Sequence, residues 1–272
     1  MTAPIWIAGM PRSGTSWVAQ IFGAHPNVLL KYDPLFSYAF KDAVDETSSP
    51  ENWRRFFDRV GRTADPYMDQ ERPKAEGLAP VFKRRSDAPR QLVMKTNRRH
   101  HLLAGALKAG APFRLLLIVR DPIETIGSWL ANPTEFPQNA DPDAEWRNGA
   151  CRKTGPGEYW GFDDWKRVTS LYLELADRED VFLLEYSAID ANPAIVVEDV
   201  FSWAGLAPDD QVADFLRASR ERHDEHPRSV FRDPARRGDP DARLPAGAAA
   251  EIRAELAGAP LGRFLNRPGV AA

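Results

Sequence analysis

Apolar and polar positions along the chain fall into alternating blocks that predict short strands followed by helices. Runs of three to seven residues, mostly apolar and rich in β-branched or aromatic side chains, are typical of buried strands because they are too short for helices. These runs lie at residues 5–8, 28–30, 92–94, 113–119 and 181–184. The run FRLLLIV at 113–119 is the most apolar of them, which predicts a central strand buried on both faces.

Helical periodicity follows each of the first strands. Val18, Ile21 and Phe22 recur at the spacing of one helix face, and Gly23 and Pro26 supply stop signals. The same pattern predicts helices at 51–60, 102–107, from 122 onwards, at 165–175 and 193–204, and near the C-terminus. Strands that alternate with helices form parallel βαβ units, so the sequence predicts an α/β fold with a central parallel β-sheet flanked by helices.

Two polar segments are longer than the ordinary connections of a compact domain. Residues 63–90 and 132–160 are polar and punctuated by proline. Loops longer than about 12–15 residues are often functional or mobile. We therefore expect 63–90 to be an insertion on the substrate side and 132–160 to act as a lid.

The segment between the first strand and the first helix has the features of a phosphate-binding loop. Gly9 and Gly14 occupy the glycine positions of the G-x-x-x-x-G-K-[ST] motif, so backbone N–H groups can converge on an anion at the helix N-terminus. Thr15 stands where this motif requires a lysine for the β- and γ-phosphates, and Ser16 takes the hydroxyl position. The positive charge lies inside the loop, at Arg12. The loop therefore suits a 5′-phosphosulfate better than a nucleoside triphosphate. The chain is predicted to form a single P-loop-type domain over residues 1–272.

Composition and charge exclude several classes of protein. Lys and Arg number 36 against 39 Asp and Glu, and a formal net charge of −3 does not indicate a nucleic-acid-binding surface. Cys151 is the only cysteine, which excludes an intrachain disulfide and a thiolate zinc site. No apolar run approaches the ~18 residues of a membrane span, and the N-terminus lacks the pattern of a signal peptide. We expect a soluble, cytoplasmic protein.

A second candidate anion site follows the strand at 113–119. In P-loop nucleoside triphosphatases the corresponding strand ends in an acidic residue that binds Mg²⁺, whereas this strand ends in Arg120. A guanidinium is planar and suits bidentate recognition of phosphate. Ser128 follows eight residues later, on the second turn of a helix that begins at Pro122. Both residues are predicted to contact one phosphate; the alternatives are a salt bridge for Arg120 and a solvent-exposed position for Ser128.

The two motifs together resemble those of sulfotransferases. PRSGTSW at 11–17 is similar to the loop that encloses the 5′-phosphosulfate in that family. RDPIETIGS at 120–128 is similar to the element that holds the 3′-phosphate of 3′-phosphoadenosine 5′-phosphosulfate (PAPS). The resemblance implies PAPS as the cosubstrate and no metal. It implies donor-binding roles for Arg12, Ser13, Gly14, Thr15, Ser16, Trp17, Arg120 and Ser128.

Two later segments extend the resemblance more loosely. Tyr186, with Asn-Pro at 192–193, resembles the family segment whose tyrosine contacts the adenine, although Ser and Ala at 187–188 replace an acidic pair. A core tyrosine is the alternative. Arg236 and Arg237, followed by glycine, resemble the family's late Arg-Lys-Gly loop on the 3′-phosphate. A solvated run of charges is the alternative there.

The residue that would accept the acceptor's proton has two interpretations. Family members that act on phenols and steroids carry Lys-Thr-His after the third strand, whereas residues 95–97 read Lys-Thr-Asn, and Asn cannot accept a proton. Asp33 begins Asp-Pro-Leu, which resembles the Glu-Pro-Leu of carbohydrate-type and bacterial sulfotransferases. Asp33 is therefore the predicted base. His100 and His101 are the alternative candidates, placed by the sequence on the surface beside arginines.

These residues predict transfer of a sulfuryl group from PAPS to a hydroxyl or an amine of a small-molecule or carbohydrate acceptor, by in-line displacement. Arg12 and Lys95 would stabilise the charge of the migrating group. A P-loop kinase or NTPase is the second enzyme class, but it would need the missing lysine and an acidic Mg²⁺ ligand. A non-catalytic module that binds 3′-phosphoadenosine 5′-phosphate (PAP) would keep both phosphate sites and lack a base.

Overall fold

The computed structural model describes residues 2–266, and its strands form one five-stranded sheet in which every pairing is parallel. The strands are β1 Ile5–Gly9, β2 Val28–Tyr32, β3 Gln91–Thr96, β4 Arg114–Val119 and β5 Val181–Glu185. They lie in the order β2-β3-β1-β4-β5. The predicted α/β fold with a central parallel sheet is confirmed. β4 is an interior strand with residues buried on both faces, but β1 holds the middle position.

Eleven α-helices connect or follow the strands within the described residues. They are α1 Thr15–Ala24, α2 Pro50–Arg62, α3 Glu71–Ala75, α4 His101–Lys108, α5 Pro122–Leu130, α6 Pro142–Glu145, α7 Gly161–Leu175, α8 Tyr186–Ala191, α9 Pro193–Ala204, α10 Asp210–Glu221 and α11 Ala248–Leu256. The sequence analysis predicted no helix at α3, α6, α8 or α10. The buried face of α10, formed by Val212, Phe215, Leu216 and Ser219, has the helical spacing that could have revealed it.

The sheet separates two layers of apolar core. Alternate residues of β1 point to opposite faces, so Trp6 joins one core and Ile7 the other. Helices α2, α4, α5, α7 and α11 contribute buried side chains to the first layer. Helices α1, α9 and α10 contribute to the second. Both faces of the interior strands are therefore covered, as parallel sheets require.

All the strands end at one edge of the sheet, and the parallel register brings their ends side by side. Tyr32 at the end of β2 pairs with Lys95 of β3, Gly9 at the end of β1 pairs with Ile118 of β4, and β5 ends level with β4. Ligands of open α/β sheets bind in the crevice outside these carboxyl ends. The segments that follow the strands therefore line a common crevice.

The segment 63–90 is attached firmly to the end of β2. The Lys31 ammonium is buried and donates to Asp69 Oδ1 at 2.6 Å and to the Thr63 carbonyl at 2.7 Å. The Tyr32 N–H donates to the Met68 carbonyl at 2.9 Å. These hydrogen bonds fix residues 63–69 of the insertion against the end of β2, where they form one side of the crevice.

The segment 132–160 contributes to the first core layer. Trp146, Tyr159 and Trp160 are buried in it, and the Trp160 ring packs against Trp129 of α5 at 5.4 Å between centroids. Burial of these aromatic side chains anchors the segment to the first core layer, and its role as a lid stays a prediction.

In the part of the chain that the structure describes, no helix combines the length and apolarity needed to cross a membrane.

Replacing Asp69 should destabilise the fold. In Asp69→Ala the buried Lys31 ammonium loses its carboxylate, and leaving a buried charged donor without its partner costs about 1–3 kcal/mol. Asp58→Ala is the matched control, because Asp58 is exposed on α2. Urea unfolding followed by tryptophan fluorescence measures both variants. Equal losses of unfolding free energy would contradict a structural role for the Lys31–Asp69 pair.

Candidate active site

The loop between β1 and α1 is shaped to receive an anion. Gly14 precedes α1 with a φ of 85°, and no side chain caps the helix N-terminus. The Ser13 hydroxyl is buried and has no hydrogen-bond partner among residues 2–266. Thr15 is buried and Ser16 lies partly exposed at the first turn. A helix N-terminus with an unsatisfied buried hydroxyl is a site where backbone and side-chain donors can meet an oxyanion.

The Tyr186 ring lies directly over Gly14. A Cβ atom added at Gly14 would come within 2.2 Å of the Tyr186 ring, so glycine is required both for the positive φ and for this approach. Trp17 packs edge-on against the same ring at 6.1 Å between centroids, and its indole N–H donates to Ser219. Tyr186 begins α8 at the end of β5, so the fold brings the predicted adenine contact onto the loop.

Arg12, Arg120 and Ser128 meet at the end of β4. Arg12 Nε donates to Ser128 Oγ at 3.1 Å, and Arg120 Nη1 donates to the Arg12 carbonyl at 3.1 Å. Burial lowers the pKa of the Arg12 guanidinium, and the nearby charge of Arg120 acts in the same direction. The structure thus brings the loop cation to the predicted 3′-phosphate residues. The Arg12 side chain is directed towards Ser128 and the Pro227 carbonyl.

Asp121 and Pro122 explain why Arg120 is positioned here. The Asp121 carboxylate accepts from the N–H groups of Ile123 and Glu124 and so caps α5 at its first turn. Arg120 donates from Nε to Glu124 at 2.7 Å, and its guanidinium lies 4.6 Å from the centroid of the Tyr186 ring. The salt bridge that we considered for Arg120 exists, and it holds the guanidinium over Tyr186 at the loop.

The two arginines of the late Arg-Arg-Gly segment have different environments. Arg237 donates to Tyr186 Oη at 3.2 Å and to Asp190 Oδ1 at 2.9 Å. Arg236 is exposed, and its Nε lies 3.6 Å from an Asp233 oxygen. The interpretation as a solvated charge run holds for Arg236 and is wrong for Arg237, whose ion pair with Asp190 draws it to the loop. We call Arg12, Arg120 and Arg237 the arginine cluster.

Asp33 and Lys95 form an ion pair at the neighbouring strand ends. Lys95 Nζ donates to Asp33 Oδ2 at 3.2 Å and to Asn97 Oδ1 at 2.5 Å. Asp33 has a φ of 40°, and its Oδ1 atom is buried without a partner in the described chain. Tyr32 links this pair to the first turn of α1, because its hydroxyl donates to the Ser16 carbonyl at 3.1 Å. Asn97, which the sequence analysis treated only as a lost histidine, is a partner of Lys95.

Comparison with known proteins identifies the family to which this chain belongs. The family model described as a sulfotransferase domain matches residues 2–223. The chain belongs to the sulfotransferase family. No curated protein matches it. The fold is similar to that of mouse sulfotransferase SULT7A1 complexed with PAP, at 15% identity and a TM-score of 0.55, with 96% of this chain and 86% of that chain covered.

Two further solved structures share the fold. Sulfotransferase STF9 from Mycobacterium avium is 14% identical, with a TM-score of 0.51 and coverage of 98% of this chain and 78% of that one. The sulfotransferase domain from the curacin biosynthetic pathway is 14% identical, with a TM-score of 0.50 and coverage of 94% and 98%. Membership of the family makes the protein an enzyme of sulfuryl transfer, and the similarity in fold covers nearly the whole chain.

The structure does not support His100 as the catalytic base of this sulfotransferase. His100 is 1% exposed, and its Nδ1 is hydrogen-bonded to the Tyr172 hydroxyl at 2.9 Å. Burial lowers the pKa of His100 to about 3, so its imidazole stays neutral at physiological pH and accepts protons poorly. The sequence suggested a surface histidine, which was wrong because the ring packs into the core against Tyr159. His101 is partly exposed and is hydrogen-bonded to Tyr159.

The sequence analysis missed two arginines near the arginine cluster. Arg243 packs its Cβ against α5, where a Cβ added at Gly127 would lie 3.1 Å away, next to Ser128. The charge of Arg243 also contributes to the lowered pKa of Arg12, after burial, and Arg232 lies close enough to feel the charge of Arg12. Both come from the Arg-rich stretch after α10. Only the path of that stretch over the loop distinguishes them from surface charges.

The described residues contain no group of three or more His, Cys, Asp or Glu arranged to hold a metal ion.

Gly14→Ala should disrupt the loop. The new methyl would have to displace the Tyr186 ring, and an alanine at this φ adds about 1–2 kcal/mol of strain. We expect PAP affinity, measured by calorimetry, to fall about tenfold or more.

Gly205→Ala is the matched control for this variant. Gly205 ends α9 with a φ of 70° and has open space around it, so alanine there brings the strain without the clash. If both variants lose stability but Gly14→Ala binds PAP normally, the loop does not hold the nucleotide.

Proposed function

We propose that this sulfotransferase moves a sulfuryl group from PAPS to a hydroxyl of a small-molecule or carbohydrate acceptor. The observation that carries the proposal is the convergence of the arginine cluster, the Ser13 hydroxyl and the N-terminus of α1 beside the Asp33–Lys95 pair. A nucleotide with phosphates at both its 3′ and 5′ positions matches such a set of donors. The PAP complex of mouse SULT7A1, a protein of similar fold, is consistent with this ligand.

On the donor side, different groups of the protein are assigned to the 5′-phosphosulfate and to the 3′-phosphate of the nucleotide. The N–H groups at the start of α1, with Ser13, are assigned to the 5′-phosphosulfate because they are unsatisfied donors at a positive helix end. Arg120 and Ser128 are assigned to the 3′-phosphate, with Arg12 beside them. Positive charges held close together in a partly buried site repel one another, and a multiply charged anion would relieve that repulsion.

The acceptor side supplies the base. The hydroxyl oxygen of the acceptor forms a bond to sulfur while the bond from sulfur to the 5′-phosphate oxygen breaks, and PAP leaves. The hydroxyl proton passes to the Asp33 carboxylate, whose side chain is partly exposed and whose Oδ1 has no hydrogen-bond partner among the described residues. Lys95, held by Asp33 and Asn97, places a cation beside the migrating group. An in-line path follows if the acceptor enters from the Asp33 side.

A transfer assay tests the proposed function. Radiolabelled PAPS or labelled ATP is incubated with the protein and an acceptor panel in the presence and absence of a chelator. Appearance of labelled acceptor from PAPS, insensitive to the chelator, is the expected result. Transfer from ATP would favour a kinase, and tight PAP binding without turnover on any acceptor would favour the non-catalytic module.

Asp33→Asn should bind the donor product and turn over slowly. The amide keeps the size of the side chain but cannot take a proton, so kcat should fall about 10²- to 10⁴-fold while PAP affinity stays near that of the wild type. Released PAP and calorimetry provide the two readouts. Normal turnover in Asp33→Asn, together with an inactive His101→Ala, would show that His101 and not Asp33 is the base.

Arg120→Ala should weaken binding of PAP selectively. Loss of charged hydrogen bonds of about 1.5–3 kcal/mol corresponds to an affinity about 10- to 150-fold lower. Adenosine 5′-monophosphate lacks the 3′-phosphate, and its affinity should change little. Arg236→Ala is the control, since Arg236 is exposed and lies beside Asp233. An equal loss of affinity for PAP and for adenosine 5′-monophosphate would show that Arg120 does not bind the 3′-phosphate.

A further inference from the structure

A groove lies between the insertion 63–90 and α10. It encloses about 550 Å³, a volume within the range of small-molecule sites. Residues 79–83 of the insertion line one side, and α10 lines the other. No member of the arginine cluster lines it, and neither Asp33 nor Lys95 does. The groove is therefore a cavity apart from the proposed transfer site.

The walls of the groove are apolar and partly open to solvent. Val81 is 72% exposed, so a branched aliphatic side chain is left in contact with water. Phe82 packs edge-on against Phe215 at 5.5 Å between ring centroids, and Phe215 packs against Phe231 at 6.3 Å. Ala218 is exposed on α10 beside them. Contiguous exposed apolar surface marks binding sites more often than isolated exposed residues do.

Two lysines of the groove have no carboxylate partner. Lys74 and Lys83 line the groove, and neither ammonium forms a salt bridge within residues 2–266. Lys74 is partly buried, and its Nζ donates to the Asp69 carbonyl at 2.6 Å. Burial lowers the pKa of Lys74, and the nearby charge of Arg85 lowers it further. An anion bound here would stabilise the charged form of Lys74.

The other charged side chains of the groove do not neutralise these lysines. Asp214 lines the groove and is paired with Arg217. Arg222 adds a third cation, with its guanidinium 4.2 Å from the Phe231 ring centroid and its salt-bridge partner Asp224 at 3.9 Å. The groove therefore combines apolar walls with an excess of positive charge.

We propose that this groove is a second small-molecule site, and that its ligand is an amphipathic anion with an apolar body and one carboxylate or sulfonate headgroup. The apolar body packs between residues 79–83 and α10, and the headgroup neutralises the cations. A cationic ligand would meet charges of its own sign, and a neutral one would leave the lysines without a partner. An inorganic anion would leave the apolar walls in water.

Three matched probes test the ligand class by calorimetry. 2-Naphthalenesulfonate carries both the apolar body and the headgroup, 2-naphthalenemethanol is its neutral counterpart, and methanesulfonate is the headgroup alone. We expect the sulfonate to bind with a Kd about tenfold or more below that of the alcohol, as one charged contact would give, and methanesulfonate to bind more weakly than either. PAP should leave the Kd of 2-naphthalenesulfonate unchanged, because the groove lies outside the proposed donor site.

Two exposed alanines of α10 provide a matched pair of variants. Ala218→Glu places a carboxylate inside the groove, four residues before Arg222, where it pairs with that cation and repels the headgroup. Ala213→Glu places the same side chain outside the groove, four residues before Arg217. We expect Ala218→Glu to weaken binding of 2-naphthalenesulfonate about tenfold, and Ala213→Glu to leave it unchanged.

Lys74→Gln tests the charge of the groove directly. It should weaken binding of 2-naphthalenesulfonate about three- to tenfold, whereas Lys108→Gln, at an exposed position of α4, should have no effect. Absence of binding, equal affinity for the neutral alcohol, or displacement of the sulfonate by PAP would overturn the inference. Equal effects of Ala218→Glu and Ala213→Glu would also overturn it, because the probe would then occupy another part of the protein.

Discussion

The parallel register of β1 between β3 and β4 is the constraint on which the site depends. Gly9 lies level with Ile118, and Ala8 with Thr96, so the segments that follow β1, β3 and β4 leave the sheet together. A shift of one residue would turn each strand's side chains to the opposite face and carry Arg120 away from the Arg12 carbonyl that it now contacts. The two core layers resist such a shift because every interior strand is buried on both faces.

Concentrated positive charge is the second feature, and the protein accommodates it with specific partners. Arg120 is held by Glu124 and Arg237 by Asp190, while the Tyr186 ring lies against both guanidinium groups. These contacts fix the cations in place before any anion binds, which reduces the reorganisation that binding would need. Arg12 donates to Ser128 and lies 3.7 Å from a Glu135 oxygen, and burial still lowers its pKa, so a bound anion would stabilise its charged form.

The two sides of the crevice differ in chemical character because they come from different parts of the chain. The proposed donor side is built from the loop, α5 and the Arg-rich stretch, and its side chains are cationic. The proposed acceptor side is built from the end of β2 and the insertion 63–90, and it presents the ring of Tyr67 packed against Phe36, three residues after Asp33. The Asp33–Lys95 pair lies between the two sides, where the proposed transfer would take place.

The sequence by itself determined the strands, most helices, the loop and the place of Arg120 at the end of a strand. These features are local: buried strands and helices repeat apolar residues at a fixed spacing, and the loop has glycines at two fixed positions. Only the tertiary structure decided that Arg237 reaches Tyr186 while Arg236 faces solvent, that His100 is buried, and that Tyr67 packs against Phe36. Each of those outcomes depends on contacts between segments far apart in the chain, and no local pattern specifies which distant side chain will share a space.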